Sequence, residues 1–271
     1  GKSNALKGVL ILIGFICVFF ITHNVALATT SIFVATMICL LAIDMKFAKR
    51  FMNVKEKADK NKVKELLIEC LPLGAFGFIS SSILNYPAII LEKKFVSINE
   101  NMMGAYNCIS QPILIIQMLA TYIYAPFIVM FAEYNNNKDK KKFMGLLHKI
   151  LLVFAGIAIV GLIGSKLILG KILILMYRKK VEEYLFLMLP LVGCAIATGV
   201  LWFFNMILTV IRKTKLLIVI NIVAWVFIRI LTPVLIDKCG ANGASFGLII
   251  TLVLQSIVMY VVVLRHVRYK E

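Results

Sequence analysis

Arg229 is the residue whose setting most demands a chemical explanation. It stands inside the apolar run 216–236. It lies about eight residues from the nearer end of that run, roughly 12 Å deep at 1.5 Å per residue. A guanidinium left there costs at least about 2.5 kcal/mol on insertion scales. Two arrangements relieve that cost. A wet cavity can hold an anion such as phosphate or pyrophosphate against the planar guanidinium fork. Alternatively, the long side chain snorkels toward the headgroups, with Asp237 as a partner.

Other polar residues fall into stripes on apolar helices. In 104–131, Asn107, Ser110, Gln111, Gln117, Thr121, Tyr122 and Tyr124 share an arc of about 160° at about 100° per residue. The stripe runs roughly 25 Å along the helix axis. In 185–211, Thr198, Trp202, Asn205 and Thr209 share an arc of about 60°. In 216–236, Asn221, Trp225, Arg229 and Thr232 share about 80°. Such faces either line a common cavity or hydrogen-bond neighbouring helices and glue the bundle. The stripe from Asn107 to Tyr124 favours a cavity, because a packing seam rarely needs polar groups across its full depth. The candidate substrate-contacting set is therefore Arg229, Asn107, Gln111, Gln117, Thr121, Tyr124, Asn205 and Asn221. Glu69 is an acid near a helix interior. It is either a protonatable coupling-ion site or an interfacial carboxylate paired with a lysine such as Lys64.

These residues need elements that can hold them inside a membrane. Eight apolar stretches supply them: 5–22, 25–43, 66–91, 104–131, 150–169, 185–211, 216–236 and 241–264. About 20 apolar residues are needed to cross a hydrocarbon core of about 30 Å. The runs are too long and continuous for barrel strands, so the expected class is an all-α polytopic membrane protein. Pro72, Pro126, Pro190 and Pro233 sit within spans, where they can kink a helix.

Charge sets the expected orientation. With the first helix starting in the cytoplasm, the cytoplasmic segments hold 21 Lys and Arg and the outer ones 8. That obeys the positive-inside rule and places both termini of the chain in the cytoplasm. On this reading 170–184 is a basic outer loop. The net charge of +17 follows from topology and from contact with anionic lipids. It calls for no nucleic acid, since the basic residues cluster at helix ends without interleaved aromatics.

The remaining composition narrows the chemistry. Six cysteines show no CxxC spacing, and His23, His148 and His266 lie in separate loops or ends. No metal or cofactor is expected from that pattern. No acid/base cluster gathers in the short outer loops, so the chain is not read as an enzyme. The opening Gly1-Lys2-Ser3 imitates the end of a phosphate-binding loop but lacks its upstream glycine and strand. It reads as a fragment boundary, with the chain the rear part of a longer protein. The expected organisation is 1–43 as the last two helices of a front lobe, 44–65 as a basic cytoplasmic linker, and 66–271 as a six-helix C-terminal lobe.

Several segments resemble a known group. They are Glu69-Cys-Leu-Pro-Leu-Gly74, Ile89-Ile-Leu-Glu-Lys-Lys94, Met103-Gly-Ala-Tyr106, Pro126 with Lys140-Lys-Lys-Phe143 downstream, and Gly240-Ala-Asn-Gly-Ala244. The chain is similar to the C-terminal portion of bacterial polysaccharide and O-antigen repeat-unit flippases of the multidrug/oligosaccharidyl-lipid/polysaccharide superfamily. The resemblance covers nearly the whole chain, most strongly 66–250. It implies twelve or more helices in two lobes around a cavity, with alternating access. It implies a lipid-linked oligosaccharide diphosphate as the transported partner. Membrane lipids and glycan polymerase machinery are further partners. The implied location is the bacterial inner membrane. The family's cationic contact residues lie partly in the front lobe, so none is carried over to Arg229. The alternatives are a drug or cation exporter of the same superfamily, which favours buried acids, and an integral-membrane glycan polymerase or ligase.

Overall fold

The computed structural model describes residues 2–41, 45, 60–95 and 100–268. Every element among them is helical. The chain divides into two compact units, Gly1–Leu66 and Leu67–Glu271.

The first unit contains α1 (Lys2–Thr22) and α2 (Val25–Cys39). They turn on His23, which takes a positive φ of 47°, and on Asn24. The Asn24 Oδ1 accepts the Ala26 backbone N–H at 2.9 Å. That N-cap satisfies a donor the helix leaves orphaned. Most of the expected linker, 44–65, lies outside the described residues. Its last part does not: residues 60–65 are the first turns of α3 (Lys60–Phe95), so the basic residues there are helical.

The second unit continues through α4 (Glu100–Tyr124), a 3-10 turn (Ala125–Phe127) and α5 (Ile128–Asn136). The expected single helix over 104–131 is therefore broken. Pro126 at the start of the 3-10 turn is the cause, because it has no N–H for an α-helical bond. Next come α6 (Lys140–Gly164) and a π-helical turn (Ser165–Leu169). The expected outer loop over 170–184 is instead helical, as α7 (Gly170–Tyr177) and a 3-10 run (Arg178–Leu187). The chain ends with α8 (Met188–Val210), α9 (Thr214–Cys239) and α10 (Ala241–Arg268).

Helix α8 forms the centre of this unit. Its Phe203 is fully buried and stands 5.9 Å from Phe131, 5.8 Å from Phe154 and 5.9 Å from Tyr124, ring centre to ring centre. Those separations suit tilted aromatic pairs. Helices α9 and α10 join at Gly240, whose φ of 59° and ψ of −141° are accessible only to glycine. Beyond it, Gly243 and Gly247 let α10 meet α9 backbone to backbone. A Cβ on Gly243 would lie 2.1 Å from the Leu235 carbonyl oxygen, and one on Gly247 would lie 2.7 Å from Thr232 Oγ1. This is the close approach that glycines four apart permit between membrane helices.

Among the described residues, five stretches are long and apolar enough to cross a membrane: Lys62–Lys94, Lys140–Leu167, Glu182–Val210, Thr214–Cys239 and Ala241–Val267. The apolar helices Gly8–Thr22 and Val25–Cys39 are shorter. Large apolar side chains such as Leu152, Val160 and Leu175 face outward, at 74%, 70% and 84% exposure. A water-soluble surface does not tolerate such a spread of apolar groups, whereas hydrocarbon does. The chain is an all-α, membrane-embedded protein.

Candidate functional site

Two stripes of side chains meet along α3 and α9. On α9 the stripe takes every fourth residue: Asn221, Trp225, Arg229, Pro233 and Asp237. On α3 it takes Ser80, Ser82, Tyr86 and Lys94. Residues four apart form a ridge on one helix face, and this one rises roughly 24 Å from Asn221 to Asp237.

The contacts ascend in register. Ser80 Oγ donates to Asn221 Oδ1 at 3.0 Å, and Asn221 Nδ2 donates to the Leu217 carbonyl at 2.8 Å. Trp225 Nε1 donates to Ser82 Oγ at 3.0 Å. The Arg229 guanidinium carbon lies 3.9 Å from the Trp225 ring centre and 5.4 Å from that of Tyr86. At the top, Lys94 Nζ bridges the Asp237 carboxylate and the Pro233 carbonyl, the latter at 3.3 Å. Because residue numbers rise together on both helices, α3 and α9 run parallel.

Arg229 therefore has two aromatic faces and no carboxylate among these contacts. Asp237, its expected partner for snorkelling, is engaged by Lys94 instead. The Arg229 side chain is exposed, whereas Asn221 at the foot of the stripe is fully buried. Pro233 adds a further polar feature. Having no N–H, it cannot bond the Arg229 carbonyl one turn below.

The other expected residues divide. Asn107 is exposed on α4. Thr121 is half-buried and lies within hydrogen-bonding reach of Tyr124. Tyr124 does not face a cavity with them: it is buried in the aromatic core against Phe154 and Phe203. The side chains of Gln111, Gln117 and Glu69 lie outside the described residues. Asn205 is buried on α8, and its Oδ1 has no hydrogen-bond partner among the described residues. Thr198 and Thr209 return their hydroxyls to their own helix, to the Cys194 and Asn205 carbonyls. They serve the helix rather than a ligand. Among the described residues no group of His, Cys, Asp and Glu is placed to hold a metal.

The α3 half of the seam is what sequence reasoning missed. Its signal was present as Ser80-Ser-Ser82 and Asn85-Tyr86, a polar cluster inside an apolar run. Paired with the Asn221-to-Asp237 stripe, it would have pointed to a partner helix.

No protein-family model matches the chain, and no solved structure matches it. It is similar to a capsular polysaccharide biosynthesis protein, CapF, of Staphylococcus aureus, with 23% identity over 185 residues. That match takes in 68% of this chain but only 46% of the relative, so the chain spans about half the length of the curated protein it resembles.

Proposed function

We propose that this chain is the rear part of a flippase that moves lipid-linked oligosaccharide repeat units across the cytoplasmic membrane for surface polysaccharide assembly. In this reading the chain contributes eight crossings to a two-lobe transporter of the multidrug/oligosaccharidyl-lipid/polysaccharide superfamily. Both its termini are cytoplasmic. The protein works as a carrier rather than an enzyme. A lipid-linked oligosaccharide diphosphate is its cargo, and glycan polymerase machinery receives the product.

One observation carries the proposal: an exposed guanidinium at mid-seam, held by aromatic rings rather than by a carboxylate. Its desolvation costs at least about 2.5 kcal/mol. Ring contacts return about 0.5–1 kcal/mol each at exposed sites. An anionic ligand supplies what remains, and a diphosphate suits the guanidinium fork. The similarity to a capsular polysaccharide biosynthesis protein supports a glycan as the rest of that ligand. Physically, a sugar diphosphate cannot cross hydrocarbon unaided. A seam of amide, hydroxyl, indole and guanidinium groups can replace its hydration, while the lipid tail stays in the bilayer.

The test is Arg229→Leu in the full-length protein, with Arg229→Lys beside it, at matched membrane expression. Surface polysaccharide should fall steeply with Leu and partly recover with Lys, which keeps the charge but loses the fork. Wild-type yield from the Leu variant would remove the anion-binding role.

A further inference from the structure

The second unit carries an apolar groove of about 450 Å³, walled by α6 and α10 and floored by α8. Leu162, Gly193 and Ile249 line one end, and Leu151, Phe204 and Tyr260 the other. From Leu162 to Leu151 the wall of α6 runs roughly 16 Å. Only Ser256 and Tyr260 bring polar side chains to the lining.

The Tyr260 end is chemically distinct. His148 Nε2 and the Tyr260 hydroxyl lie 3.2 Å apart there, one turn beyond Leu151. His148 is exposed, and so is Lys149 beside it. Lys141 lies seven residues before His148, two turns down the same face of α6, and Arg265 lies just past Tyr260 on α10; both are exposed. Asp139, at the N-terminus of α6, is engaged by Lys142 at 3.0 Å. The groove thus ends at a hydrogen-bonded His148–Tyr260 pair, with Lys141 below it on the same face of α6, while Lys149 and Arg265 stand on the outward faces of their helices.

We infer that this groove is a binding site for an anionic phospholipid. One acyl chain lies along α8 between α6 and α10, and the phosphate rests against His148 and Tyr260, with Lys141 on the same face of α6. Charge complementarity selects this occupant. A groove facing hydrocarbon takes any acyl chain, but only an anionic headgroup gains from the cation at its mouth. The lipid so held pins α6 to α10 at one membrane face and fills a gap that neither helix closes.

The site is tested on the full chain in nanodiscs of phosphatidylglycerol and phosphatidylcholine in equal amounts. The protein is then extracted into mild detergent and analysed by native mass spectrometry. The expected result is retained phosphatidylglycerol in clear excess over phosphatidylcholine. Filling the groove with Ala158→Phe should abolish retention. Should that variant unfold, Val253→Phe on the opposite, exposed wall reports on the same volume. Exchanging His148 and Lys141 for Gln should leave a lipid bound but cut its headgroup preference, a cation beside the headgroup being worth about fivefold. Equal retention of both lipids by the wild type would overturn the proposal. So would retention unchanged in both groove-filling variants. A disulfide between two copies through Ile257→Cys would also overturn it, because a second chain would then occupy the groove. None of these outcomes depends on what the seam at Arg229 binds.

Discussion

The Arg229 guanidinium rests on the indole of Trp225, one turn earlier on the same helix, at 3.9 Å from the ring centre. Trp225 is itself fixed, because its Nε1 donates to Ser82 of α3. The cation is therefore positioned by an aromatic plate that a neighbouring helix holds in place. This geometry presents the charge without neutralising it, as a carboxylate partner would.

Removing the plate should disorder the cation. Trp225→Leu should lower polysaccharide export about two- to fivefold, the equivalent of about 0.5–1 kcal/mol for an exposed cation–π contact. Trp225→Phe keeps a ring and should retain most of the export. Ser82→Ala should fall between them, since it frees the indole while leaving the stack. Radiolabelled cargo uptake into inverted vesicles measures the series. Equal rates for Trp225→Leu and wild type would show that the stack does not position Arg229.

The α9–α10 hairpin should be the least tolerant packing in the second unit. A methyl group at Gly243 would collide with the Leu235 carbonyl, a backbone atom that cannot swing aside. Gly243→Ala should therefore cost about 1–3 kcal/mol or more, the usual range for overpacking. At Gly145 a Cβ meets nothing within 4 Å, so Gly145→Ala should be tolerated. Thermal unfolding in detergent compares the two, and equal melting temperatures would contradict the close approach.

A mild acid dependence should come from the α6 N-terminus. Asp139 caps α6 by accepting the Lys142 N–H at 3.1 Å. This bond, with the Lys142 ammonium beside it, holds the Asp139 carboxyl below its usual range. A carboxylate with a lowered folded-state pKa stabilises the fold above the unfolded value. That contribution is lost as pH falls through the folded value. Stability should thus decline below about pH 4, and Asp139→Asn should flatten the decline because it retains the cap without the charge. Denaturation midpoints in detergent across pH read the difference; identical pH profiles would exclude Asp139 as its source.

What could be read in the sequence was what local pattern controls. Helices α8, α9 and α10 follow their apolar runs closely, because backbone groups in hydrocarbon have nowhere to bond except within the helix. Asn221, Trp225 and Arg229 fell on one face because helical periodicity alone places them there. Tyr124 shows the limit. Its angle joined it to the Asn107 stripe, but the break at Pro126 follows it directly and its ring lies in the Phe154–Phe203 core. The 170–184 segment reads as a loop because it separates two apolar runs, yet charged residues are compatible with a helix, and it is helical. Gly243 and Gly247 carried their spacing in plain view. Their meaning depends on Leu235 and Thr232 across the hairpin, which a single helix face does not reveal.

We propose that the α3–α9 seam opens to water within the membrane. It is tested most directly by labelling single cysteines with a membrane-impermeant maleimide in a full-length background without native cysteines. Labelling is expected at Ser82→Cys, Tyr86→Cys and Arg229→Cys, with protection at Val223→Cys and Phe227→Cys on the outward apolar face of α9. Protection at all three seam positions, in a protein that still exports polysaccharide, would contradict it.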